Sequence, residues 1–160
     1  MPPTIEDIIT DVIKREGNPT NDPDDHGKRT QYGISERANP EAWADGHVTE
    51  AEAREIYERK YVRGPRFTSI KDPQLQAQLI DFGVVSGPSI AIMKLQEAVN
   101  VTVDGIIGPE TLGAIARLHP DEVNLELVKA RVMMICRIVQ KNPTQLKYLG
   151  GWCRRALEFI

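Results

Sequence analysis

Cysteine is scarce in this chain: two residues in 160, Cys136 and Cys153, both within helical patterns. A disulfide framework is therefore not indicated, and buried free thiols are the expectation. The three histidines, His26, His47 and His119, are scattered and form no HExxH-type spacing. Zinc amidase or peptidase chemistry has no support, and no cofactor or metal is expected. Two distant cysteines make no Cys–His protease case, and Ser86 and Ser89 lack a nucleophile-elbow context. No charge of one sign dominates. The net charge is −3 and the isoelectric point about 5.7, so no basic field for nucleic acid exists. No apolar run approaches membrane-spanning length. Glu6, Asp7 and Asp11 interrupt the N-terminal apolar residues, so no signal peptide is read. Low-complexity segments and sustained repeats are also lacking.

What is present is an ordinary globular composition, enough for one domain or one domain with a small module. Ile5, Ile8, Ile9, Val12 and Ile13 follow the spacing of a helical buried stripe. Glu16 falls eleven positions after Ile5. At about 100° per residue that is nearly three turns, so Glu16 continues the stripe. Burial and the negative helix end both favour a protonated carboxyl, as a general acid requires. The alternative is an exposed helix-end Glu whose side chain reaches water.

Residues 18–33 are dense in Asn, Asp, Pro and Gly and read as loops, with short extended pieces around Arg29 to Ile34. Ser35-Glu36 opens a short helix expected to stop at Asn39-Pro40. Thr49 caps a helix to about Tyr61, and Asp72-Pro73 opens one to about Val85. Gly87-Pro88 separates it from another, which Ser89 starts and which runs to about Val99. Asp104-Gly105 is a turn and Pro109 a helix start. Asp121 opens the longest helix, to about Gln140. Thr144 caps a last one, interrupted at Gly150-Gly151. The fold class is mainly α, with a small irregular or β region after the first helix.

A helix-end acid followed by a loop acid is what glycoside hydrolysis needs: one protonates the leaving oxygen, the other assists water or attacks. The loop offers Asp22, Asp24 and Asp25, with the Thr30 hydroxyl to hold a water. Asp22, before Pro23, and Asp24 read more simply as turn caps; for Asp25 both readings stand. Tyr57 and Trp152 are assigned to the core, and Tyr32, within the polar loop, is the better sugar-stacking candidate.

Glu16-Gly17, Asn21-Asp22-Pro23, Asp25, Gly27, Thr30 and Tyr32-Gly33-Ile34-Ser35 together resemble the opening of glycoside hydrolase family 108, the phage-type N-acetylmuramidases. The likeness continues through Thr49 to Tyr61 and through Asp81-Phe82 with Val84-Val85-Ser86-Gly87. Leu95-Gln96, Asp104-Gly105, Gly108-Pro109 and Thr111-Leu112 are similar to the peptidoglycan-binding region that accompanies the family. Gly151-Trp152 and Arg155 match its closing Gly-Trp-x-x-Arg. Two departures stand out. Asn18 replaces a second glycine, and Val85 stands where the family tends to have Asn.

The resemblance implies a lysozyme-like helical fold. It divides the chain into a muramidase region, 1–92, and a helical peptidoglycan-binding-like region, 93–160, packed into one compact body. It implies Glu16 as the catalytic acid, with Asp25 and Thr30 positioning water, and Asp22, Tyr32, Asp81 and Ser86 contacting substrate. The implied reaction is cleavage of the β-1,4 bond between N-acetylmuramic acid and N-acetylglucosamine in bacterial peptidoglycan. A monomer is expected, held in the host bacterial cytoplasm until release to the periplasm and wall. A lytic transglycosylase and a non-catalytic wall-binding protein are the rival readings.

Overall fold

The computed structural model describes residues 3–16 and 29–160. Among them it is mainly helical, with seven α-helices and one two-stranded sheet after the first helix. The lysozyme-like, mainly α expectation holds. The chain forms two compact units, Ile5–Lys60 and one built on Tyr61–Ile160.

In the first unit, α1 (Ile5–Glu16) packs on α2 (Glu50–Glu58). Ile8, Ile9, Val12 and Ile13 are buried along α1, and Ala53, Ile56 and Tyr57 along α2. This is the apolar stripe that the spacing predicts. Thr49 closes a full capping box on α2. Its hydroxyl accepts from the Glu52 N–H, and the Glu52 carboxylate accepts from the Thr49 N–H at 2.8 Å. These bonds hold the Glu52 pKa below its usual value, the Thr49 backbone N–H contributing most and the Thr49 hydroxyl next. Beyond α2 the chain continues as a π-helical turn, Arg59–Arg63.

The sheet is a hairpin of β1 (Thr30–Gln31) and β2 (Ile34–Ser35), with Thr30 opposite Ser35 and Gln31 opposite Ile34. The short helix expected from Ser35-Glu36 does not form. A single 3-10 turn, Pro40–Trp43, follows instead. Proline at its first position fixes φ there, and Trp43 is drawn into the core, its indole N–H donating to the Ile34 carbonyl at 3.2 Å.

In the second unit, α3 (Pro73–Ser86) is buried on every side from Ala77 through Gly83, mostly by apolar residues but with Gln78 and Asp81 among them. A helix of that kind belongs in the middle of a core, and α3 packs against both α4 (Pro88–Ala98) and α6 (Pro120–Lys141). Asp72 caps α3, accepting from the Leu75 N–H at 2.7 Å. The same carboxylate oxygen receives the Asn124 amide at 3.3 Å, which ties α6 to the cap. Between α4 and α5 (Pro109–Ala116) the loop is organised by one buried side chain. Gln96 Oε1 accepts from the Asp104 and Gly105 N–H groups at 3.1 and 2.9 Å. Its Nε2 lies 2.7 Å from Asp104 Oδ1, 3.0 Å from the Ile106 carbonyl and 3.1 Å from Thr111 Oγ1. The Gln, Asp-Gly and Thr positions singled out in the sequence thus form one hydrogen-bonded staple.

The last helix, α7 (Leu149–Leu157), runs straight through Gly150 and Gly151. Each helical glycine costs about 1 kcal/mol relative to alanine. Packing against α6 and burial of Ala156 and Phe159 offset this. Asn142, not Thr144, is the capping residue of the preceding 3-10 segment, its side chain accepting from the Thr144 N–H. Cys136 and Cys153 are free and half-buried. Burial first, then the neighbouring Cys136, pushes the Cys153 thiol pKa up.

Candidate functional site

Glu16 is the last residue of α1 and is exposed, so of the two readings of the sequence the helix-end Glu that reaches water is the one the structure has. Helical periodicity fixes its angle around the axis. It does not fix how far along the axis the packing partners extend, and the final turn runs to the end of the packed stripe. The stem of Glu16 is nevertheless closely met. A Cβ built on Gly33 would stand 3.1 Å from Glu16 Cγ and 3.2 Å from its Cβ. The same added atom would stand only 2.4 Å from Tyr57 Oη. Only a residue without a side chain fits between them.

The hairpin is shaped for this approach. Tyr32 and Gly33 form its two-residue loop with φ of 52° and 76°, the positive pair that a type I′ turn requires. Tyr32 pays a conformational cost there that glycine does not, and such outliers concentrate at functional sites. Tyr57, buried on α2, donates its hydroxyl to the Tyr32 carbonyl at 3.0 Å, which pins the turn. At the other end, Arg29 grips Glu36 through Nε and Nη2 at 3.1 and 3.2 Å and donates Nη1 to the Gly46 carbonyl at 3.1 Å. Its guanidinium lies over the Trp43 ring, 4.8 Å from the centroid. The Glu36 hydrogen bond, above all, raises the Arg29 pKa and keeps it charged. Gln31 Oε1 accepts from the Val48 N–H at 3.1 Å. Glu16 therefore faces a hairpin held at its turn, its strands and its base.

Of the other expected site residues, Thr30 and Tyr32 lie on this hairpin, half-buried, in the same unit as Glu16. Asp22 and Asp25 lie outside the described residues. Asp81 and Ser86 belong to α3 in the second unit. Asp81 is not available to substrate. It is 3 % exposed, and its oxygens take Arg131 Nη2 at 2.6 Å and Arg155 Nε at 2.7 Å. Ser86, half-buried, lines a cavity beside those arginines. Tyr57 is core, as assigned. Trp152 is half-buried and stacked on Tyr148 with centroids 5.5 Å apart.

Sequence reasoning missed two positions. One is Gly33, whose Tyr-Gly pair between extended pieces is itself a hairpin-turn signal. The other is Arg131, a cation within the apolar stripe of Leu127, Val128 and Ile135.

Comparison with known proteins bears directly on this arrangement. Residues 9–87 match the family model Glycosyl hydrolase 108, and residues 90–157 match the Predicted Peptidoglycan domain. The N-terminal region belongs to glycosyl hydrolase family 108. No curated protein matches the chain. Among solved structures it is similar to SagA of Brucella abortus, at 29% identity and a TM-score of 0.63, over 94% of this chain and 92% of that one. The chain is thus a glycoside hydrolase related to peptidoglycan. Glu16, Thr30, Tyr32 and Gly33 all fall inside the family 108 region. Among the described residues no group of His, Cys, Asp and Glu is arranged to hold a metal ion. No helix among them is long and apolar enough to cross a membrane.

Proposed function

We propose that this family 108 chain is an N-acetylmuramidase that cuts the β-1,4 bond between N-acetylmuramic acid and N-acetylglucosamine in bacterial peptidoglycan. The observation that carries the reading is the seating of Glu16 against the Tyr32-Gly33 turn. Glu16 is the general acid and protonates the glycosidic oxygen. Its exposure suits an acid that must reach a polymer, and the bound glycan displaces water from around it. The hairpin fixes the direction from which the sugar approaches, and the Tyr32 ring is available to stack on it. Asp25 and the Thr30 hydroxyl orient the water that attacks the anomeric carbon of an oxocarbenium-like transition state. No metal or cofactor takes part.

The biological role that best fits a muramidase with a peptidoglycan domain is that of a phage or prophage endolysin. It acts as a monomer, accumulates in host cytoplasm and is released to the wall at lysis. Glu16→Gln tests the acid. It removes the proton donor while keeping the side chain's shape, so sacculus clearing falls by roughly 100-fold or more with the melting temperature unchanged. Clearing at the wild-type rate in a folded variant rules out Glu16 as the acid.

A further inference from the structure

Beneath Ser86, the second unit holds two cations against one anion. Arg131 and Arg155 both pair with Asp81, at 2.6 and 2.5 Å. Arg131 is 3 % exposed and Asp81 is also buried. Arg131 lies with its guanidinium 5.0 Å from the Phe82 ring centroid. Its Nη1 has no hydrogen-bond partner among the described residues. A buried charged donor left without an acceptor is costly, and a surplus cation in a water-poor setting calls for an anion. Arg155 is more open, with 15% of its side chain exposed.

These arginines line a cavity of about 270 Å³ whose other walls include Val85, Ser86, Ile138 and Trp152. Among the described residues no acidic side chain lines it. The cavity therefore offers guanidinium donors and a hydroxyl on one side, and aliphatic and aromatic surface on the other. That combination selects a carboxylate attached to a small apolar group. The volume lies near the lower end of small-ligand pockets, about 300 Å³, and suits one or two small amino-acid residues. Both Val85 and Ile138, at 50% and 40% exposure, stand where a chain can enter.

We propose that this cavity binds the free C-terminal alanine carboxylate of a peptidoglycan stem peptide, with Arg155 and Arg131 taking the carboxylate and Val85, Ile138 and Trp152 taking the methyl groups. The proposal rests on the wall-degrading reading for its ligand, but not on Glu16. Asp81 holds the two guanidiniums in place and leaves their surplus charge for the ligand. The site lets the enzyme grip uncrosslinked stems while the glycan is cut elsewhere.

The test is isothermal titration calorimetry of the full chain with diacetyl-Lys-D-Ala-D-Ala, its C-terminal amide, and acetate. The free acid is expected to bind. The amide is expected to bind at least roughly ten-fold more weakly, the factor for losing one charge-assisted hydrogen bond. Because Arg155 substitutions risk the fold through Asp81, the exposed rim carries the second arm. Val85→Asp places a negative charge at the mouth and is expected to weaken the acid at least ten-fold at an unchanged melting temperature. Val85→Asn has nearly the shape of Asp without its charge, gives up the same methyl contact, and is expected to bind the acid more tightly than Val85→Asp does. Equal binding of acid and amide, or an indifferent Val85→Asp, overturns the proposal. So does displacement of the peptide by equimolar acetate, which marks a site for any small anion. If no peptide binds while sacculi are still digested, the proposal fails and the muramidase reading stands. If neither occurs, both fail.

Discussion

Gly33 is the residue on which the candidate site turns. Any side chain there meets Tyr57 Oη at 2.4 Å and the Glu16 stem at 3.1 Å, in a backbone conformation with φ of 76° that favours glycine. Gly33→Ala is therefore expected to move the turn off Glu16. Activity on sacculi should fall by about ten-fold or more, with a stability loss of about 1–3 kcal/mol from strain at an unfavourable φ. Chemical denaturation alongside a clearing assay separates the two effects. A folded variant of full activity shows that the turn does not position the acid. At this scale the sequence was only partly legible. The angular position of Glu16 was readable from periodicity; its exposure was not, because the ends of the packing partners are a tertiary fact. Arg131 is a charge in an apolar stripe that sequence reasoning passed over, and its partner Asp81 lies 50 positions away.

Among the elements, local signals served well where a side chain bonds its own neighbours. Asp72-Pro73, Thr49 with Glu52, Gly87-Pro88 and Asn142-Pro143 all mark boundaries that the structure keeps. They failed where the packing of a whole helix overrides local propensity, as in α7, which runs through the exposed Gly150 and Gly151, and where a proline turn replaced the helix expected after Ser35. The capping box of α2 makes a pH prediction. The folded Glu52 pKa is depressed, so its contribution to stability is present above the ordinary carboxylate value. It is lost as pH falls through the lower, folded value. Thermal melts followed by circular dichroism should show wild type above Glu52→Gln near neutral pH. The difference should close at acid pH, below the ordinary Glu value of about 4.3. A gap that persists at pH 2 removes the charge-assisted bond as its cause.

For the whole molecule, the chain joins a family 108 region to a peptidoglycan-domain region. The Asp81 cluster belongs to the fold: one carboxylate links α3 to α6 and α7 through Arg131 and Arg155. Asp81→Asn leaves one buried and one half-buried guanidinium without their anion. It is expected to cost about 3–5 kcal/mol in a denaturant titration. A loss below 1 kcal/mol shows that the cluster is better hydrated than its burial indicates. The mainly helical class, the family and the order of elements were legible because caps, breakers and motifs recur in sequence order. The pairing of Asp81 with two distant arginines was not, since nothing local encodes it.

The central claim is that Glu16 directs hydrolysis at N-acetylmuramic acid. The most direct measurement is digestion of purified sacculi followed by liquid chromatography and mass spectrometry of the soluble products. Muropeptides ending in reducing N-acetylmuramic acid, absent with Glu16→Gln, are the predicted result. Anhydro-muramic ends would instead make the chain a transglycosylase, and protein bound to intact sacculi with no soluble product would make it a binding protein; either contradicts the account.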